Sequence, residues 1–222
     1  AAAEGLAEQV VSLLPRGEPA PPLPPVKPLP RAVQIDKPFP SSQSHILMGQ
    51  PGMRRGDPDY FPLYVGNHIL GGSGLVSLLS EEVREKRGLS YSVYSYFSPM
   101  RRNGPFIVGA QTKNARSREA LRVIRETLAR YIAQGPTREQ LTAARQNITG
   151  GFPLRISSNS KIVEYLAMIG FYGLPLDWLE RFVERVNSVT REQIREAFQR
   201  RVHPERMVTV VVGNGQARQP EG

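Results

Sequence analysis

The chain of 222 residues has no cysteine, one tryptophan and only three histidines. Without cysteine there are no disulfides, no thiolate metal sites and no cysteine nucleophile, and the redox compartment stays open. The histidines, His45, His68 and His203, stand far apart, and none has a second histidine at ligand spacing. A local histidine-pair metal motif is thereby excluded. No run approaches the roughly 18–20 apolar residues that a membrane-spanning helix needs. The opening stretch AAAEGLAEQVVSLLPRGEP has neither a basic start nor a long apolar centre, so no signal peptide is expected within it.

Arginine and proline are plentiful instead. Lys and Arg number 29 against 20 Asp and Glu, a net charge of +9. A surplus of this size raises the question of nucleic acid. The arginines, however, alternate with glutamates in EEVREKR, RVIRETLAR and REQIREAFQRR. Opposite charges three or four apart mark solvated helix faces. No aromatic-rich basic loop accompanies them, so nucleic acid is not an expected partner. A charge-driven nucleic-acid domain is kept as an alternative that steeply salt-dependent binding would reveal.

Residues 4–14, EGLAEQVVSLL, form a short amphipathic helix with Leu6, Val10, Leu13 and Leu14 on one side. The proline-dense PRGEPAPPLPPVKPLPRAVQIDKPFP follows, which excludes helix or central strand and favours polyproline II. At about 3.1 Å per residue, Glu18 to Arg31 would reach on the order of 40 Å. Leu23, Val26 and Leu29 recur every third residue along one edge, which predicts a strap that docks. Residues 1–43 are therefore expected to be a helix and strap from a preceding domain, 44–215 an α+β domain, and 216–222 a disordered tail.

Within 44–215, SHILMGQPG reads as a strand, and Asp57-Pro58 as a helix start with Asp57 capping free amides. That helix runs to GGSG, with Pro62 tolerable only in its first turn. A second covers about Leu75 to Lys86 and stops at Gly88 in a left-handed conformation. Two strands follow, LSYSVYSYFSPM and GPFIVGAQTK, joined by a turn containing Asn103-Gly104. In the first strand Tyr91, Val93, Ser95 and Phe97 share one face, and Ser92, Tyr94 and Tyr96 the other. A helix spans about Ser117 to Gln134, with Leu121, Ile124, Leu128 and Ile132 inward. Thr137 with Gln140, and Thr190 with Gln193, are capping boxes. SNSKIVEYLAMIGFYG and LDWLERFVERV read as further helices, and RMVTVVVGNG as the closing strand. Strands followed by a run of helices predict an α+β fold, an antiparallel-rich mixed sheet with helices on one side.

In this order and spacing, "LGG-S", EVREKRGLSYSVYS, the Asn-Gly hairpin, VTREQI and VVVG resemble the second-half domain of M16 metallopeptidases. That family includes pitrilysin, insulin-degrading enzyme and the mitochondrial processing peptidase. The resemblance covers roughly Ser44 to Gly215 and implies the LuxS/MPP-like metallohydrolase fold. It also implies a zinc-bearing first domain, in the same chain or a partner subunit, with zinc held by an H-x-x-E-H motif and a distal glutamate. HILMG and HPERM lack that motif, so no zinc is expected in this chain. By the same resemblance the substrate is a peptide or unfolded protein and the assembly a homo- or heterodimer. The bacterial periplasm is the compartment it favours, with the cytoplasm as alternative.

The family places an arginine and a tyrosine, seven residues apart, beside the zinc of the partner domain. Arg84 and Tyr91 match that pair. The resemblance thus implies substrate binding by both, and oxyanion stabilisation by the Tyr91 phenol. Taken alone, an arginine in EEVREKR is a solvated helix residue paired to Glu81 or Glu85. A metal-free structural or binding subunit is the competing functional class, since a scaffold needs neither residue. Three further features carry no chemistry. Asn147-Ile-Thr149 is a glycosylation sequon inside a helical pattern. GGSG lacks the lysine of a phosphate loop. Asp177 and Glu180 read as helix-start charges.

Overall fold

The computed structural model describes residues 2–15 and 17–215. Five strands form one mixed sheet: β1 (Val33–Pro40), β2 (Gln43–Pro51), β3 (Ser92–Phe97), β4 (Pro105–Lys113) and β5 (Val208–Gly215). Their order across the sheet is β1-β5-β2-β4-β3, with β1 parallel to β5 and the other neighbours antiparallel. The α-helices are α1 (Ala2–Ser12), α2 (Tyr60–Asn67), α3 (Ser117–Gln134), α4 (Arg138–Arg155), α5 (Asn159–Tyr172), α6 (Phe182–Ser188) and α7 (Arg191–Arg201). The α+β class and the mixed, mostly antiparallel sheet agree with the sequence expectation.

Strand alternation decides which face the helices cover. In β2, Ser44, Ile46, Met48 and Gln50 are buried, while His45 and Leu47 point outward and are exposed. In β3, Val93 and Ser95 are buried and Ser92, Tyr94 and Tyr96 exposed, as a period of two requires. Ile46, Met48 and Phe106 of the sheet meet Leu63, Leu128 and Phe198 of the helices in one core. Helix α3 has the expected bounds and ends at Gly135, whose φ of 70° suits glycine. Both capping boxes form. Thr137 Oγ1 accepts from Gln140 N–H at 3.2 Å and Gln140 Oε1 from Thr137 N–H at 2.9 Å. The Thr190–Gln193 pair repeats this at 3.2 and 2.8 Å.

Four local expectations are corrected. Residues 33–40, assigned to the strap, form the edge strand β1, so the sheet starts before residue 44. Pro38 and Pro40 are tolerated there because an edge strand leaves one row of N–H positions unpaired. The helix expected from LDWLERFVERV begins only at Phe182, after a turn that contains Asp177 and Glu180. Asp57 lies three residues before α2 and accepts from Asp59 N–H at 3.0 Å, but its carboxylate is chiefly engaged by Arg201 at 2.7 Å. The helix expected over Leu75–Lys86 is a 3₁₀ turn, Gly74–Val76, followed by a π-helical segment, Ser80–Glu85.

Helix α1 buries no residue. Arg102 Nε donates to the Leu23 carbonyl of the strap at 2.8 Å. Val26 and Leu29 border a cavity of about 260 Å³ with Pro51 and His203. The tail expected over 216–222 lies outside the described residues.

Candidate functional site

The π-helical segment Ser80–Glu85 ends beside the start of β3. Its last turn is wide: Lys86 N–H reaches the Glu81 carbonyl at 2.9 Å, Gly88 N–H the Arg84 carbonyl at 2.8 Å, and Leu89 N–H the Val83 carbonyl at 2.9 Å. Gly88, at φ 59°, supplies the left-handed reversal that closes these bonds. Single π-turns of this kind are rare and concentrate at functional sites. Helical periodicity contains no signal for one, so sequence reasoning missed it.

Two of the carboxylates near Arg84 in sequence, Glu81 and Glu82, are taken by other cations. Lys86 Nζ lies 2.7 Å from Glu81 and 3.0 Å from Glu82. Arg87 Nη1 pairs with Glu82 at 2.7 Å and Arg130 with the same carboxylate at 3.2 Å. Burial opposes ionisation of Glu82, yet the hydrogen bonds from Lys86 and Arg87 outweigh it and hold its pKa below the ordinary value. Among the described residues Arg84 makes no ion pair or side-chain hydrogen bond. The expected alternative, Arg84 paired to Glu81 or Glu85, is not what the structure contains.

Tyr91 sits between two fixed neighbours. Ser90 Oγ lies 2.7 Å from the Gln111 carbonyl, Thr112 Oγ1 donates to the Leu89 carbonyl at 2.5 Å, and Tyr91 N–H faces the Gln111 carbonyl at 3.4 Å. Tyr91 is 70% exposed and its phenol has no partner among the described residues. Backbone that is held on both sides thus presents a free phenol at the sheet corner, one reversal away from a free guanidinium.

The histidines are dispersed. His45 is on the outward face of β2, in the cross-sheet row that passes through Gln111 to Ser92. His68 begins a second π-helical segment, His68–Gly72, where burial and then the Arg155 charge lower its pKa. His203 Nδ1 lies 3.6 Å from Glu205. Among the described residues no group of three or more His, Asp or Glu could hold a metal ion. The described residues therefore offer no cluster that would hold a resident zinc. No helix among them is long and apolar enough to cross a membrane.

Residues 1–148 match the family model of the peptidase M16 inactive domain. An uncharacterized zinc protease of Streptomyces coelicolor is 31% identical over 155 residues, covering 70% of this chain and 34% of that protein. A non-peptidase homologue of Helicobacter pylori is 26% identical over 149 residues, covering 66% of this chain and 34% of the homologue. The crystal structure of a peptidase M16 inactive domain from Pseudomonas fluorescens is 38% identical with a TM-score of 0.91, covering 98% of this chain and 52% of that one. The chain thus spans roughly a third of the curated relatives' length and about half of the solved relative's. With the sheet and the helices in agreement, the chain belongs to the peptidase M16 family as its inactive, non-catalytic C-terminal domain.

Proposed function

We propose that this domain is the substrate-holding half of a split peptidase site, to which Arg84 and Tyr91 contribute and for which another M16 domain supplies the metal. That domain lies in the same chain or in a partner subunit, giving a homo- or heterodimer, and the helix and strap ahead of β1 link this domain to what precedes it. The observation that carries the proposal is the selective freedom of the pair. Neighbouring Lys86, Arg87 and Arg130 are paired with Glu81 and Glu82, whereas Arg84 and Tyr91 have no side-chain partner among the described residues.

The chemistry suits a peptide. A guanidinium offers a planar fork of donors to successive main-chain carbonyls, which only an extended or unfolded segment presents. The phenol can donate to the same carbonyls, and more strongly to an oxygen that gains negative charge as a carbonyl is attacked. Arg84 then acts mainly in holding substrate, and Tyr91 mainly on the developing charge.

The holding role is tested in a peptide-cleavage assay with a zinc-bearing M16 domain present. Arg84→Ala should raise KM, and Arg84→Lys should restore part of the loss, because a point charge lacks the fork. An unchanged KM in Arg84→Ala would remove Arg84 from the site. A second reading, a structural subunit without peptidase role, is favoured by the likeness to the Helicobacter pylori non-peptidase homologue. It requires both variants to be silent.

A further inference from the structure

At the far end of the sheet from Tyr91, next to the β3–β4 hairpin, a cavity of about 380 Å³ opens between α2, α6 and the turn after α5. Its walls are aromatic. Tyr60 and Phe61 of α2 face Trp178, with ring centroids 6.4 and 6.3 Å away. Two arginines border it, Arg55 from the turn after β2 and Arg185 from α6.

Neither arginine is neutralised. Among the described residues Arg55 and Arg185 make no ion pair. Arg185 lies 5.6 Å from the Phe61 ring, and Arg55 lies 5.5 and 5.4 Å from the rings of Tyr60 and Tyr172. Ring faces attract a cation without cancelling its charge. Arg55 Nη1 donates to the Tyr60 hydroxyl at 2.9 Å, and burial keeps that phenol protonated, so it supplies no anion. Arg55 Nε is buried with no hydrogen-bond partner. Buried polar atoms are almost always paired, so Arg55, a lining residue of the cavity, retains unused donor capacity. Asp57 also borders the cavity, but its carboxylate is engaged by Arg201 at 2.7 Å.

We propose that this cavity binds a carboxylate carried on an apolar or aromatic body, either the C-terminal residue of a peptide or a small aromatic acid. The arginines take the carboxylate, for which a guanidinium fork is suited, and the rings of Phe61 and Trp178 take the body. The volume lies at the lower end of ligand pockets, which fits one or two residues and not a long segment.

Trp178 is the chain's single tryptophan, so its fluorescence reports on the cavity directly. The probes are N-acetyl-L-phenylalanine and its neutral amide, N-acetyl-L-phenylalaninamide. The acid should give a saturable change and bind at least about tenfold more tightly than the amide, as loss of a charge-assisted hydrogen bond implies. Arg185→Gln should erase that preference while the unfolding midpoint stays unchanged, and Arg55→Lys should reduce it. Gly-Gly-Phe binding as well as the acetylated acid identifies a peptide C-terminus as the ligand source, and its exclusion identifies a small acid. Equal binding of acid and amide, an unaltered preference in Arg185→Gln, competition by inorganic phosphate as strong as by the acid, or no saturable change would each overturn the proposal. Should Arg55→Lys fail to fold, Arg185→Gln still decides.

Discussion

Two groups of arginines occupy opposite ends of the sheet, both in the last turn of a helix, and they behave in opposite ways. At the end of α7, Arg201 bonds Asp57 at 2.7 Å and Asp59 at 2.9 Å, while Arg200 bonds Asp59 at 2.7 Å. Gln50 joins the same cluster by donating to the Arg201 carbonyl at 2.6 Å and accepting from His203 N–H at 2.7 Å. These contacts tie the start of α2 to the end of α7 and to β2. At the other end, Arg84 pairs with no carboxylate among the described residues although Glu81, Glu82 and Glu85 are near in sequence, and Lys86, Arg87 and Arg130 occupy Glu81 and Glu82. Residue type and helix position are alike. What separates an arginine that holds the fold from one available to a ligand is whether an acceptor is already committed to it.

The contrast breaks most readily at the welded end. Asp57→Ala removes the buried partner of Arg201 and should destabilise the domain by about 3 kcal/mol, the lower part of the range for breaking a buried pair. A denaturant midpoint equal to wild type would mean that the α2–α7 clamp contributes nothing. A smaller effect is expected from acid. Burial alone would raise the Asp59 pKa, but the hydrogen bonds from Arg200 and Arg201 together lower it. A depressed folded-state pKa contributes stability above the unfolded value, about 3.9, that is lost as pH falls through the folded one. The unfolding midpoint should therefore drop below about pH 4, and Asp59→Asn should flatten that drop. An identical acid slope in the variant would contradict the assignment.

Smaller again are the helix caps. Thr137→Ala and Thr190→Ala should each cost about 1 kcal/mol, since each removes an acceptor for an N-terminal amide. Midpoints unchanged in both would show that the boxes are not formed in solution. Smallest is the free end: Arg84→Ala and Tyr91→Phe should change stability by no more than about 0.5 kcal/mol, as surface positions do. A loss as large as that of Asp57→Ala would turn Arg84 into a second structural arginine and erase the contrast.

The features legible in the sequence were local. The bounds of α3, both capping boxes, the Gly88 reversal and the alternation of β3 depend on residues within a turn or two of one another. The features missed depend on distant partners or on an irregular helix. Strand β1 was hidden because its prolines argue against a central strand, and only its parallel pairing with β5 reveals the edge position that tolerates them. The engagement of Asp57 was hidden because Arg201 stands 144 residues away. Arg84 and Tyr91 were nominated by resemblance, and their neighbours' ion pairs could not be read at all, since EEVREKR permits several pairings of similar spacing. The aromatic cavity was invisible for the same reason as the clamp, being assembled from residues 55–61, 174–178 and 185.

The central claim, that Tyr91 acts on substrate, is tested most directly by steady-state cleavage of an extended peptide by this domain together with its zinc-bearing counterpart. Tyr91→Phe is compared with Arg122→Ala, an exposed helix-face variant whose arginine pairs with Glu126 at 2.9 Å. Loss of a donor that acts on a developing oxyanion should lower kcat by about 10²–10³ with KM little changed. A Tyr91→Phe enzyme that turns over at the rate of the Arg122→Ala control would contradict the account.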